Sequence, residues 1–241
     1  ALEACRDAAT NGSEIVVVGN SEPGGLFAND DAIQTGFGFT LSTDSGLAVE
    51  EGASLYSTSI PYPQAVIVEG NDIFVASMTS NDLDQNINEQ TGNDFPNWTH
   101  LNKYGQGFKM SIEKLSLPNY ESIWKAEYPV DPETDGTVYS VHVGGLIRKT
   151  DPSGREILVV VGSTRGKGEA YGPADGTDAD GFITIVNPDN GALMNEDVNN
   201  IRIGSPADDV IAEICDVPGD DNSIVVVGAT KGDIGGIRNE G

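Results

Sequence analysis

Three aspartates that lie close together in the chain could bind a hard metal ion. Asp175, Asp178 and Asp180 fall within six residues and offer carboxylate oxygens, the ligands that Ca²⁺ prefers. The alternative is an acidic loop that is only solvated, because the chain has 38 acidic and 13 basic side chains and a formal net charge of −25. The sequence therefore predicts Ca²⁺ as the candidate cofactor and leaves the solvated loop open.

Aromatic side chains in the long polar stretches could recognise a carbohydrate or a peptide. Trp98, Tyr104 and Tyr171 offer flat apolar faces, and nearby Asn and Asp side chains could hydrogen-bond hydroxyl groups. In the alternative interpretation these aromatics hold their own loops in place. The remaining candidate binding residues are charged: Asp30, Asp31, Arg165 and Lys167. For the two basic residues, pairing with nearby acidic side chains of their own loop is the alternative.

Catalytic chemistry has weaker support in the sequence, and no catalytic residue is predicted. A glycosidase needs two carboxylates at a set separation, and 38 acidic residues supply too many pairs for the sequence to select one. A serine nucleophile needs a base such as histidine. We interpret His142, which falls in a predicted strand, as a structural residue. Cys5 and Cys215, which are predicted to occupy equivalent strand positions in non-adjacent units, are interpreted as small buried residues rather than as a disulfide.

Composition argues against two classes of partner and leaves the compartment to weaker signals. A net charge of −25 argues against nucleic-acid binding, which needs basic patches. No apolar run approaches the roughly 18 residues that a membrane helix needs, so no membrane insertion is expected. Two Asn-x-Ser/Thr sequons, at Asn11 and Asn97, permit glycosylation if the protein is secreted.

A repeat organises the elements that must position these residues. The segment Ile-Val-Val-Val-Gly at residues 15–19 returns as Leu-Val-Val-Val-Gly at residues 158–162 and as Ile-Val-Val-Val-Gly at residues 224–228. A degenerate copy at residues 73–77 ends in Ser77 in place of the glycine. Recurrence of such segments in order is typical of architectures built from one repeated supersecondary unit.

Further elements recur around each valine-rich strand, so that a unit consists of four short strands, A to D. The valine-rich copies are the B strands, and the A strands are predicted at residues 1–5, 65–68, 138–143 and 210–215. The C strands are predicted at residues 38–42, 107–111 and 181–185, and the D strands at residues 53–58, 122–128 and 199–203. The units cover about residues 1–58, 64–128, 137–203 and 208–241 of a single domain.

Four antiparallel strands repeated in this way predict an all-β fold. The specific prediction is a partial β-propeller of four-stranded antiparallel blades, with three full blades and two strands of a fourth. A β-sandwich is the alternative, but it does not explain why the elements recur in order. Because an incomplete ring leaves sheet edges open, we expect the chain to be part of a larger polypeptide or to meet a neighbouring subunit.

The order of segments in the last two units is distinctive. Residues 205–212 lead into residues 223–232, and the strand at residues 180–185 continues into the Asn-Pro-Asp-Asn-Gly turn at residues 187–191. This order resembles the β-propeller repeat family abbreviated SBBP. The second unit departs from the pattern at Ser77 and by about twenty additional residues after it. The resemblance implies a secreted or cell-surface protein, and it brings no shared catalytic residue to this chain.

The connections between strands B and C are long, at about residues 20–35, 80–104 and 163–180. Because strands alternate in direction, these loops should project from one face, and the A–B and C–D connections, predicted to be short, from the other. Long loops on a rigid scaffold commonly carry binding residues. We therefore predict a secreted or surface-exposed binding or structural-assembly module that contacts a protein or carbohydrate at the long-loop face. The alternatives are a glycosidase-like hydrolase that uses loop carboxylates and a calcium-stabilised lectin-like module.

Overall fold

The structure is a computed structural model that describes residues 3–21, 35–44, 62–80, 108–117, 119–130, 141–166, 168–171, 178–194 and 201–233. Within these ranges it contains thirteen β-strands and no helix. The prediction of an antiparallel all-β fold is confirmed. In the same ranges, no helix is present that could span a lipid bilayer.

The strands form four antiparallel sheets, in each of which consecutive strands of the chain pair with one another. Sheet 1 contains β1 (Glu3–Thr10), β2 (Glu14–Ser21) and β3 (Thr35–Ser42). Sheet 2 contains β4 (Tyr62–Glu69), β5 (Asp72–Ser80), β6 (Phe108–Ser116) and β7 (Glu121–Tyr128). Sheet 3 contains β8 (Val141–Thr150), β9 (Glu156–Thr164), β10 (Asp180–Val186) and β11 (Ile201–Ile203). Sheet 4 contains β12 (Asp209–Val217) and β13 (Asp220–Thr230). The D strand predicted at residues 53–58 lies outside the described residues.

Turn chemistry explains why the first two strands of each sheet form a tight hairpin. In sheet 2 the connection is the two-residue turn Gly70–Asn71, and Gly70 has a φ of +57°, a conformation that favours glycine. The C–D connection of sheet 2, between β6 and β7, is short. The corresponding connection of sheet 3 runs over residues 187–200. The prediction of short C–D connections is therefore wrong for the third unit.

Burial on both faces explains the runs of consecutive valines. In β9, Leu158 and Val160 pack in a cluster shared with sheet 2, whereas Val159 and Val161 pack in a second cluster shared with sheet 4. A third cluster joins sheets 1 and 2. A strand covered on both faces needs apolar residues at successive positions rather than at alternate ones. Each such side chain contributes roughly 1.5–3 kcal/mol by leaving water.

A β-bulge recurs in the first strand of every sheet. The register of β1, β4, β8 and β12 shifts by one residue against the neighbouring strand, and the extra residues are Arg6, Gln64, Gly144 and Ala212. In each sheet the residue before the bulge pairs with the last residue of the valine-rich segment, which is glycine in three sheets and Ser77 in sheet 2. The bulge thus marks the same point in all four repeats.

The shared register corrects the comparison of the two cysteines. Cys5 precedes the bulge of β1 and pairs with Gly19, whereas Cys215 follows the bulge of β12 and pairs with Val225. The two cysteines therefore do not occupy equivalent positions. Both are free thiols and both are exposed, so the prediction that they are buried is also wrong.

In sheets 1 and 3, the third strand carries a phenylalanine opposite the final glycine of the valine-rich segment. Phe37 pairs with Gly19 in sheet 1, and Phe182 pairs with Gly162 in sheet 3. The equivalent of residues 181–185 in the first unit therefore begins at Gly36, two residues earlier than the predicted residue 38. In sheet 2 a serine pair, Ser77 with Ser111, stands at this position.

The first strand of each sheet lies against the preceding sheet. The strand β4 contacts sheet 1, β8 contacts sheet 2, and β12 contacts sheet 3. The backbone N–H of Val66 donates to Asp7 Oδ2 at 2.8 Å, and that of Ile211 donates to Ser163 Oγ at 2.8 Å. Burial, and then the positive charge of Arg6, lower the pKa of His142. The first strands also contact one another in order, β1 with β4, β4 with β8, and β8 with β12.

Candidate functional site

The site with the richest polar chemistry lies where the B–C loop of sheet 3 meets the start of sheet 4. Five charged residues form it, and we call them the loop-end cluster: Arg165, Asp180, Arg202, Asp208 and Lys231. Arg165 directly follows β9, Asp180 begins β10, and Arg202 lies in β11. Asp208 directly precedes β12, and Lys231 directly follows β13. Loop ends of both sheets therefore meet at one edge, as the alternation of strand direction requires.

A buried ion pair holds the centre of the loop-end cluster. The Nε of Arg202 lies 2.7 Å from Asp180 Oδ2, and their side chains are 6% and 0% exposed. Arg202 also donates from Nη1 to the carbonyl of Gly166 at 2.9 Å and from Nη2 to the carbonyl of Thr164 at 3.1 Å. One guanidinium thus ties the start of the B–C loop to β10 and β11 through charge-assisted hydrogen bonds.

A second ion-pair network at the surface joins the loop to sheet 4. Asp208 Oδ1 accepts from Arg165 at 2.9 Å and from the backbone N–H of Ala179 at 3.1 Å, and its Oδ2 accepts from Lys231 at 2.8 Å. These donors, Lys231 first, lower the pKa of Asp208 from 3.8 to about 2. Arg165 therefore pairs with an acidic side chain, but one of the connection between β11 and β12 rather than of its own loop.

Acid should weaken this network selectively. Because the folded pKa of Asp208 lies below its ordinary value, its stabilisation is present above about pH 4 and is lost as the pH falls toward 2. We expect Asp208→Asn to cost about 1 kcal/mol at pH 6, since the network is partly exposed, and to cost almost nothing near pH 2. Urea unfolding of both proteins across this range measures the difference. The exposed Asp189→Asn is the charge-matched control, and a cost that does not change with pH would contradict the prediction.

Tyr171 holds the loop from inside the protein. Its ring is buried and meets Phe182 edge to face, with ring centroids 5.1 Å apart. Its hydroxyl donates to the carbonyl of Tyr128 and accepts from the backbone N–H of Met110 at 3.2 Å. Next to it, Thr184 donates to the carbonyl of Ala170. The ring has no face open to a ligand, so these contacts match the alternative in which the aromatic residue pins its own loop.

Removing the hydroxyl of Tyr171 tests this anchoring role. Tyr171→Phe leaves the Met110 N–H and the Tyr128 carbonyl without their partner inside the protein. We expect it to lower the free energy of unfolding by about 1–3 kcal/mol, the usual cost of a buried unsatisfied group. Chemical denaturation measures this loss. A variant as stable as the wild type would show that the hydroxyl does not anchor the loop.

The predicted calcium ligands are engaged differently from one another. Asp180 already pairs with the buried Arg202, so binding a cation there would require that pair to open. Asp178 is partly buried, and Asp175 lies outside the described residues. Across the described part of the chain, no group of three or more His, Cys, Asp or Glu side chains is arranged to hold a metal ion. Calcium binding stays a prediction.

The first glycosylation candidate takes part in a structural turn. Asn11 Oδ1 accepts from the backbone N–H groups of Ser13 at 3.1 Å and Glu14 at 2.9 Å. Its Nδ2, the atom that a glycan would modify, donates to the carbonyl of Gly70 at 3.2 Å and so contacts sheet 2. The other predicted site residues lie outside the described residues: Asp30, Asp31, Asn97, Trp98, Tyr104 and Lys167.

Three members of the loop-end cluster were missed from the sequence. Arg202, Asp208 and Lys231 lie outside the long B–C loop in which binding residues were sought. A signal existed, because the chain has 13 basic residues against 38 acidic ones, so each basic side chain has acidic partners to select from. The choice of partner depends on how two sheets meet, which the local sequence does not contain.

A cleft of about 460 Å³ opens at the opposite end of the sheets. Arg148 bridges Glu69 of sheet 2 and Glu156 of its own sheet. Lys149 bonds to Asp216 at 2.8 Å and to the carbonyl of Ser223 at 2.9 Å, both in sheet 4. The two basic side chains are thus occupied in joining three sheets.

The chain matches no protein-family model and no curated protein.

Proposed function

We propose that the chain is part of a β-propeller and serves as a binding and structural-assembly module. Three features support the propeller. The sheets follow one another as antiparallel meanders, the first strand of each lies against the preceding sheet, and a bulge recurs in every first strand. Successive first strands also contact one another, β1 with β4, β4 with β8, and β8 with β12, as first strands do around a propeller axis.

One observation carries the assembly role, namely an apolar face of sheet 4 that is exposed. Two residues of the valine-rich segment face the following sheet in sheets 1 to 3. They are the residue directly before the final glycine or serine and the residue two places earlier. They are buried in three sheets: Val16 and Val18, Phe74 and Ala76, and Val159 and Val161. The equivalents in sheet 4, Val227 and Val225, are 55% and 43% exposed. The interface that repeats three times in the chain therefore has one more half in sheet 4, and no sheet of the described residues covers it.

The partner that fits this face is another antiparallel sheet of the same repeat type. In each of the three existing interfaces, the first strand of the following sheet contacts the preceding sheet and helps to bury these two positions. Val225 and Val227 lie on the same face of β13, and adjacent exposed apolar side chains commonly mark a surface that contacts another protein. The assembly role is thus specific in its chemistry: an apolar sheet face, and not a charged ligand, should cover Val225 and Val227.

Self-association of the chain tests the assembly role, because a second copy offers sheets of this type. We expect sedimentation velocity to show association that increases between micromolar and about 100 μM protein. The double variant Val225→Lys with Val227→Lys should abolish it, whereas Ile123→Lys, a matched change at an exposed apolar residue of β7, should not. A wild-type chain that stays monomeric over this range, or equal loss in the control, would overturn the proposal.

The binding role belongs to the loop face, where protein or carbohydrate is the proposed partner. In the described part of the B–C loop of sheet 3, Arg202 holds the carbonyl of Gly166, and the hydroxyl of Tyr171 bonds to the backbone of Met110. A fixed loop on a rigid sheet is the arrangement in which binding costs the least ordering entropy. Secretion or a cell-surface location remains part of the proposal, in line with the resemblance to the SBBP repeats.

The two alternative functions gain no support from the described residues. A glycosidase acid needs a raised pKa, whereas the pKa of Asp208 is lowered and Asp180 is bound to Arg202. A calcium-stabilised lectin predicts a melting temperature that rises in millimolar Ca²⁺ and falls in EDTA. A melting temperature that neither addition changes would contradict that alternative.

A further inference from the structure

The edge of β13 differs from the same edge in the other three sheets. The equivalent strands β2, β5 and β9 each pair with a neighbour on both sides. Among the described residues, β13 pairs with β12 alone. Burial agrees with this difference, because Gly228 is exposed whereas its equivalents Gly19, Ser77 and Gly162 are buried. In the part of the chain that the structure describes, sheet 4 therefore has no third strand.

The other sheets show what the third strand must carry. In sheets 1 and 3 the final glycine of the valine-rich segment pairs with a phenylalanine of the third strand. The fit is close, since a methyl group on Gly162 would lie 2.7 Å from Cζ of Phe182. In sheet 2 both members of the pair are serine. Glycine on the second strand therefore goes with an aromatic residue on the third, and sheet 4 has the glycine.

The sequence of β13 favours the addition of a strand. Residues 224–227 are four consecutive β-branched residues, a composition that suits extended pairing. Residues 222–230 contain no charged residue and no Pro, the features that usually protect an edge strand against pairing. The edge formed by residues 222–230 is thus largely apolar and lacks the charged residues and prolines that oppose strand pairing.

We infer that the free edge of β13 accepts an antiparallel strand that places an aromatic side chain opposite Gly228. The occupant is a segment of the same repeat type, with the Gly-Phe pattern of β10. Backbone hydrogen bonds supply the affinity, and the ring over Gly228 sets the register. This inference rests on the proposed assembly role and names the element through which assembly is completed.

A peptide copied from β10 serves as the probe. The full chain is titrated into a fluorescently labelled peptide with the sequence of residues 179–187, Ala-Asp-Gly-Phe-Ile-Thr-Ile-Val-Asn. We expect saturable binding by fluorescence anisotropy. Replacing the phenylalanine of the peptide by alanine should weaken binding about tenfold, because the ring packs on the exposed glycine. N-methylation of alternate peptide nitrogens should abolish binding, because it removes the ladder hydrogen bonds.

Hydrogen exchange identifies the strand that the peptide contacts. We expect the peptide to slow amide exchange in residues 223–230 and to leave exchange in residues 121–128 of β7 unchanged. Binding that survives the alanine change at full strength, or protection at β7 instead, would overturn the inference. Absence of any peptide binding would overturn it as well. If Val225→Lys with Val227→Lys still abolishes self-association in that case, the assembly role stands and only the added strand is refuted.

Discussion

Replacing Asp180 by alanine is expected to lower the free energy of unfolding by about 3–5 kcal/mol. The change leaves the guanidinium of Arg202 buried without its carboxylate, 6% exposed and held among the carbonyls of Gly166 and Thr164. A buried charge that loses its partner cannot recover its hydration energy. Urea denaturation at pH 7 measures the loss, and increased proteolysis of the loop after β9 should accompany it.

A partly exposed cross-strand ion pair provides the control for this prediction. Glu127 pairs with Lys109 between β7 and β6, and these side chains are 40% and 22% exposed. Glu127→Ala should therefore cost at most about 1 kcal/mol. Replacing both members of the buried pair, with Asp180→Leu and Arg202→Met, should restore much of the stability, because no charge then stays buried. Equal small losses for Asp180→Ala and Glu127→Ala would refute a central role for the buried pair.

Gly162→Ala is expected to destabilise the protein by about 3 kcal/mol or more, through overpacking against main chain. The new methyl group would lie 2.0 Å from the carbonyl oxygen of His142 and 2.7 Å from Cζ of Phe182. The ring could rotate away, but the carbonyl belongs to β8 at its bulge and is fixed by the sheet. Thermal and urea unfolding should both show the loss, and the folded fraction at 37 °C should fall.

A glycine in the same hairpin separates steric crowding from backbone strain. Gly154 lies in the β8–β9 turn at a φ of +85°, and a methyl group there would meet nothing within 4 Å. Gly154→Ala should therefore cost only about 1 kcal/mol, from the unfavourable conformation of an L-residue. If Gly162→Ala proved no more costly than Gly154→Ala, the close approach at the bulge would not constrain the sequence.

The sequence determined which strands form and in what order, because those signals are local. A segment such as residues 158–162 has a strong preference for extended structure, and a turn such as Gly70–Asn71 reverses the chain without help from distant residues. The long B–C connections were also visible, since a polar stretch that carries no apolar period cannot be a buried strand. These inferences gave the antiparallel all-β arrangement of four sheets.

Tertiary structure decided how those strands are registered and what lies inside. The bulge in each first strand shifts the pairing by one residue, so Cys5 and Cys215 fall on opposite sides of it although their distances from the valine-rich segments are nearly equal. The serine pair, Ser77 with Ser111, replaces a glycine–phenylalanine pair that only cross-strand alignment reveals. Such pairs join residues distant in the chain, and nothing in either segment alone specifies the partner.

The same reason separates the predicted site residues from their roles. The sequence selects Tyr171 as a candidate binding residue and Asp180 as a candidate metal ligand of a long loop, but a side chain in a loop can face a ligand or the core. The structure places Tyr171 on the backbone of sheet 2 and Asp180 on Arg202. Composition and spacing determined the elements of this protein, and the contacts between its sheets decided which side chains are buried and which apolar side chains, such as Val225 and Val227, are exposed.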